Sequence, residues 1–219
     1  MNRVKRAAIF DLDGTLIDSL PDLTTAINKT LADHGLPPLT TAQIAPMVGD
    51  GASTLVTRAF AAHGLAAPPV EPVLQQFLTH YEPHAADQTK PWPGVIETLE
   101  YLRAKGLILA VCTNKPTKAT HEILAALGLD HFFAVVVGGD DTPALKPNPA
   151  HINAVLDRLG VHHEEAVMIG DSINDVLAAK GANVPVVVLS FGYSRVPPHE
   201  LGADLVVDDF AMLKRVIAG

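Results

Sequence analysis

The chain has 219 residues, 48% hydrophobic and 18% charged, with 24 acidic side chains against 16 basic ones and a net charge of −8. A chain of this length buries a real core as one large or two small domains, and its apolar content excludes a disordered segment. The acidic balance argues against nucleic acid or an anionic membrane as partner, yet leaves room for a local cationic cluster that takes a small anionic substrate.

The basic stretch Met1–Arg6 is followed by apolar residues that Asp11 interrupts, and no run approaches membrane-spanning length. A soluble, cytoplasmic protein is expected. Val4–Phe10 reads as a buried strand. Straight after it comes Asp11-Leu12-Asp13-Gly14-Thr15. Its two carboxylates point to the same side of an extended chain. Like charges so close are costly unless a cation or a proton neutralises one. A plain turn needs the glycine and one acid, not both acids.

Leu20, Leu23, Ile27 and Leu31 recur at helical spacing, and Gly35 stops that helix. Beyond Pro37-Pro38, Gly49-Asp50-Gly51 opens a second helix carrying Leu55, Val56, Ala59 and Phe60. Val73, Leu74, Phe77, Leu78 and Tyr81 mark a third. No strand is expected in this stretch up to about residue 88.

The pattern changes after Lys90-Pro91-Trp92-Pro93-Gly94. Helices over Val95–Lys105, Lys118–Leu127, Pro149–Leu159 and Ile173–Lys180 alternate with strands over Leu107–Thr113, Ala134–Val137, Ala166–Ile169 and Val186–Leu189. A short strand, Leu205–Val207, precedes a closing helix. Such alternation predicts a parallel sheet covered on both faces. The first strand belongs to that sheet, and the all-helical stretch behind it is too long for a loop. The fold expected is α/β: a doubly wound, Rossmann-like parallel-sheet core from residues 1–16 and 90–219, with an inserted helical cap domain over 17–89. Cys112, alone of its kind, lies in an apolar run and reads as a buried thiol. The 10 histidines, His162-His163 among them, show no metal-binding spacing and read as surface or helix-end residues.

Open parallel sheets bind ligands beyond the carboxyl ends of their strands. Polar clusters fall at successive ends here: Asp11, Asp13, Gly14 and Thr15; then Thr113, Asn114 and Lys115; then Lys146 in Lys146-Pro147; then Gly170, Asp171, Ser172, Asn174 and Asp175. Taken singly, Asp171 serves equally as a helix cap, Asp175 as a first-turn acid, Thr113-Asn114 as a turn and Lys146 as a solvated loop residue. Taken together, they suit a hard divalent cation beside a phosphate.

These stretches, in this order, resemble the four motifs of the haloacid dehalogenase-like hydrolase superfamily, and the helical insertion is similar to that family's type-one cap. The likeness narrows to the phosphoglycolate phosphatase branch. It is carried by Asp18-Ser19-Leu20-Pro21-Asp22-Leu23, Val48-Gly49-Asp50-Gly51 with Arg58, Pro93-Gly94-Val95, Thr113-Asn114-Lys115-Pro116, Gly138-Gly139-Asp140-Asp141 and Phe191-Gly192-Tyr193. The chain departs from that branch at Ile173, where arginine is frequent, and at Ser194-Arg195-Val196, where the branch reads Asn-Tyr-Gly.

The resemblance implies a Mg2+-dependent phosphatase that converts 2-phosphoglycolate to glycolate and phosphate through an aspartyl-phosphate. Asp11 is then the nucleophile. Asp13 protonates the leaving alkoxide and later deprotonates the attacking water. Gly14, Thr15, Thr113, Asn114 and Lys146 hold the transferring phosphoryl group. Asp11, the Asp13 carbonyl, Asp171 and Asp175 hold the metal, Asp175 directly or through water. From the cap, Gly49, Asp50, Gly51 and Arg58 reach for the substrate carboxylate, with Lys115 at the rim; Arg58 reads equally as a solvent-facing helix residue. The alternatives are a phosphatase for another small ester (a sugar phosphate, N-acetylmuramate 6-phosphate, pyrophosphate), a sugar phosphomutase similar to β-phosphoglucomutase, and a non-catalytic binding protein.

Overall fold

The computed structural model describes residues 5–65 and 69–218, so Val4 of the expected first strand lies outside it. Six parallel strands form one sheet in the order β5-β4-β1-β6-β7-β8. They are β1 (Ala7–Phe10), β4 (Ile108–Cys112), β5 (Val135–Val137), β6 (Ala166–Gly170), β7 (Val186–Leu189) and β8 (Leu205–Val207). The central strands β1 and β6 are buried along their whole length, as near-continuous apolar runs require.

Alternation along each strand divides the core in two. Ala8, Phe10, Leu109, Val111, Val167 and Ile169 face α5 (Val95–Ala104), α6 (Thr117–Ala126) and α9 (Leu213–Ala218). Ala7, Ile9, Ala110, Cys112 and Met168 face α7 (Ala150–Leu159) and α8 (Ile173–Gly181). The sheet is therefore covered on both faces, as its doubly wound order demands.

Between β1 and α5 the chain leaves the sheet and forms α1 (Leu20–Asp33), α2 (Thr41–Ile44), α3 (Ala52–Ala61) and α4 (Val70–Tyr81). Helix α1 buries Leu23, Ala26, Ile27 and Leu31, a stripe of helical period. Gly35 ends it at φ +70°, and the Leu36 N–H closes back on the Leu31 carbonyl at 2.9 Å. The short α2 was not expected. Its signature is present in the sequence all the same: Thr40 accepts from the Gln43 N–H while the Gln43 side chain accepts from Thr40.

One expectation fails here. A strand does lie before residue 88: β2 (Ile17–Asp18) pairs antiparallel with β3 (Lys90–Pro91). Two residues are too few to show a period, so the pair is invisible to pattern reading. It brings together the two chain segments that enter and leave the helical stretch. Asp22, buried, reinforces the joint by accepting from the N–H groups of Gln88 and Thr89 and from the Thr89 hydroxyl.

Candidate active site

Asp11 and Asp171 leave the carboxyl ends of β1 and β6, neighbours in the sheet. Asp175 stands one turn into α8. There its Oδ2 accepts from the Ser172 N–H and hydroxyl, the reciprocal cap of that helix. The three carboxylates each offer an oxygen within 4.8 Å of the others, and all are buried. Lys146 Nζ reaches in from the loop beyond β5. It lies 3.0 Å from Asp11 Oδ1 and 2.7 Å from Asp175 Oδ1, and it donates to the Cys112 carbonyl at 2.7 Å. It is 2% exposed, which rules out the solvated-loop reading.

Asp171 does not cap α8; Ser172 does. Its carboxylate instead accepts from Thr15 Oγ1 at 2.9 Å and from the Tyr193 N–H at 2.7 Å. Thr15 is thus committed to orienting Asp171. Gly14 has a related part: at φ +83° it turns the chain past Asp171, and a Cβ there would meet Asp171 Oδ2 at 2.6 Å.

Burial pushes the Asp11 carboxyl up to about 6 against the pull of Lys146, and the charge of Asp175 adds to the rise. Burial likewise pushes Asp171 well above the carboxylate range, helped by Asp175 and Asp11. Desolvation alone would lower Lys146, but Asp11 and Asp175 outweigh it and hold the ammonium charged. Three buried carboxylates against a single buried ammonium leave negative charge uncompensated. An all-oxygen donor set with that deficit fits a hard divalent cation.

Asp13 shares the cavity with Asp11 but has partners of its own. Its Oδ1 accepts from the Ser19 hydroxyl at 2.6 Å, and Lys115 Nζ lies 3.1 and 3.0 Å from its two oxygens. Lys115 is 7% exposed and packs over the Tyr81 ring, 4.8 Å from its centre. The Asn114 side chain is used up within the protein. It donates to the Gly49 and Lys146 carbonyls and accepts from the Lys146 N–H, fixing the lysine's backbone. The Asn114 N–H has no acceptor among the described residues.

Above these groups lies a cavity of about 40 Å³, space for a few waters. Asp11, Asp13, Thr113, Asn114 and Lys115 line its floor; Leu23, Val48, Leu55, Phe77, Leu78 and Tyr81 form an apolar roof with Gly49 and Gly51. Arg58 is not part of this lining. It donates to the Met47 carbonyl at 3.0 Å and pairs with Asp50. These two contacts tie it to the 47–50 loop. Asp50 also pairs with Arg195 and accepts from Asn174 Nδ2 at 2.6 Å, which joins the 48–51 loop to the sheet side.

Two further expectations meet the structure. Cys112 is buried, its thiol pushed up to about 12 by desolvation. Of the histidines expected at the surface or at helix ends, His151 is a helix-end one, the second residue of α7, but it does not face solvent. Fully buried, it bonds the Gly138 carbonyl at 3.1 Å, and burial lowers it to about 4. Sequence reasoning also missed Ser19, Asn174 as a loop tie, Tyr81 and the Tyr193 backbone. Tyr81 was visible only as one more apolar position in a helical stripe.

Residues 8–189 match the family model described as haloacid dehalogenase-like hydrolase. A phosphoglycolate phosphatase of Rhodospirillum rubrum is 50% identical over 214 residues, covering 95% of this chain and 89% of that protein. One of Agrobacterium fabrum is 43% identical, covering 94% and 89%. Among solved structures, a predicted phosphoglycolate phosphatase from Haemophilus somnus 129pt superposes with a TM-score of 0.93 at 36% identity, covering 99% of both chains.

Proposed function

The chain belongs to the haloacid dehalogenase-like hydrolase family, a hydrolase with phosphatase relatives along nearly its whole length, and on that premise we propose that it hydrolyses 2-phosphoglycolate to glycolate and phosphate. The observation that carries this reading is the buried meeting of Asp11, Asp171 and Asp175 with Lys146 at the strand ends. We read it as a nucleophile, a cation site and a charge-balancing ammonium in one place.

An Asp11 oxygen attacks phosphorus, forming an aspartyl-phosphate as the bond from phosphorus to the ester oxygen breaks. Asp13, across from it, gives its proton to the departing glycolate oxygen. A water then attacks phosphorus, its proton passes to Asp13, and Asp11 is released. Lys146, the Thr113 hydroxyl and the free Asn114 N–H hold the phosphoryl oxygens as their charge redistributes. Thr15 and Gly14 serve this arrangement through Asp171. Mg2+ is the cation proposed, held by Asp11, Asp171, the Asp13 carbonyl and Asp175; when bound it screens Asp11 from the anionic phosphate. The helical stretch, residues 17–89 in the expected division, acts as a cap. The helices roof the cavity over the strand-end carboxylates, so the cap lifts for entry and closes for chemistry.

The test is phosphate release with Mg2+ from 2-phosphoglycolate, hexose phosphates, N-acetylmuramate 6-phosphate and pyrophosphate, beside Asp11→Asn. Highest kcat/KM on 2-phosphoglycolate, abolished in the variant, is the expected result. Preference for another ester removes the substrate assignment; full activity of the variant removes the mechanism.

A further inference from the structure

We infer that the hydroxyl of Tyr81, together with the ammonium of Lys115, recognises the carboxylate of the leaving group, so that the roof selects short phosphoesters with an anionic head. The inference rests on the 2-phosphoglycolate reading and names the residue that makes the selection.

Among the described residues lining the cavity, Lys115 carries the one cationic side chain. An ammonium has three donors and accepts nothing. Asp13 takes at most two of them, and the third faces the Tyr81 hydroxyl oxygen. Tyr81 Oη is buried and makes no hydrogen bond of normal geometry within the described residues. An unpartnered buried hydroxyl is costly, and a ligand that accepts from it removes the cost. Lys115 lies against the same ring with its ammonium toward the phenol oxygen, which leaves the hydroxyl proton to be given to a ligand beside that charge.

The pair is rigid. Tyr81 stacks on Phe77 with ring centres 5.4 Å apart and planes 10° from parallel. Burial pushes the phenol up to about 12, so it remains a donor at neutral pH. The other charged side chain of the helical stretch expected to meet a carboxylate, Arg58, is committed to Asp50 and the Met47 carbonyl outside the lining. Leu23, Val48, Leu55, Phe77 and Leu78 offer nothing to the hydroxyls of a sugar. Glycolate, by contrast, has one methylene between its ester oxygen and its carboxylate. Asp13 serves the first, and Lys115, bound to Asp13, lies beside it for the second.

The experiment compares kcat/KM for 2-phosphoglycolate and ethyl phosphate, a substrate of similar length without the carboxylate, in the unaltered protein and in Tyr81→Phe. The variant keeps the ring, its stacking and its contact with Lys115, and an unchanged melting temperature verifies this. A hydrogen bond to a charged group predicts a loss of about 10-fold to 100-fold on 2-phosphoglycolate. That loss is expected mainly in KM, with ethyl phosphate changed less than about twofold. Equal losses on both substrates, or none on either, overturn the role of Tyr81 and leave the substrate reading standing. Absence of any preference for 2-phosphoglycolate in the unaltered protein overturns both.

Discussion

On the sheet side of the cavity, Asp11, Lys146 and Asp175 interlock through buried ion pairs, and Asp175 accepts from the Asp171 N–H. On the helical side, Leu23, Val48, Leu55 and Phe77 present apolar surface, and the polar ties run around the edge, through Gly49 and Asp50. In a low-dielectric cluster no charge can be removed without exposing the others to an uncompensated field. Apolar contacts carry no such debt, and each can change almost by itself. The chemistry is thus locked as a unit, whereas the selection of substrate is free to vary residue by residue.

Lys146→Met strikes the locked side hardest. It keeps the bulk of the side chain and removes the counterion of two buried carboxylates. A loss of about 3–5 kcal/mol in urea unfolding is expected, with kcat/KM down by about 10²–10³. A loss under about 1 kcal/mol breaks the comparison. Metal gives a second handle on the same side. Protein stripped by chelator should gain about 2.7 kcal/mol at a Mg2+ concentration 100 times its Kd. Asp171→Asn should abolish most of that rise in melting temperature; an equal rise in the variant removes Asp171 from the cation site.

Arg195→Ala probes the edge of the roof. Its pair with Asp50 is partly exposed, so global stability should move by about 0–1 kcal/mol. Amide exchange over residues 48–51 should speed up, because one tie between that loop and the sheet side is gone. Unchanged exchange would show that Asn174 and Asn114 hold the loop unaided. The smallest effect belongs to His151. Its imidazole titrates near 6.5 when unfolded and at about 4 when folded. Between those values the unfolded chain binds a proton that the native protein does not, so acidification lowers stability. Asp11 and Asp171, raised in the native protein, act with the opposite sign in the absence of metal. His151→Gln isolates the histidine: its melting temperature should fall less than the parent's between about pH 7 and pH 5, and an equal fall discounts the burial of His151.

The sheet was legible because its strands are uniform apolar runs, so β4, β5, β6, β7 and β8 emerge within a residue of expectation, while β1 begins three residues later than expected, after the charged Lys5-Arg6. The floor was legible for the same reason: a fold that collects strand ends collects Asp11, Thr113 and Asp171 without further information. What stayed hidden depends on which side chain meets which across the fold. Arg58 and Asp50 lie 8 residues apart and yet satisfy each other. Thr15 turns to Asp171 across a separation of 156 residues. Tyr81 carries the same apolar spacing as Phe77, and only the packing shows that its ring lies under a buried ammonium. His151 lies on the buried stripe of α7 with Ile152 and Val155, a position that composition alone assigns to solvent.

The pairing of Ile17–Asp18 with Lys90–Pro91 has a bearing on the history of such a molecule. Seen from the sheet, everything between those four residues is one closed loop whose ends already touch. The entropy of closing a loop grows only with the logarithm of its length. Helices can therefore be added to it, trimmed from it or exchanged for others of equal end separation while the strands keep their register. A lineage mounted on such a clasp can try new roofs over an old hearth without relighting the fire.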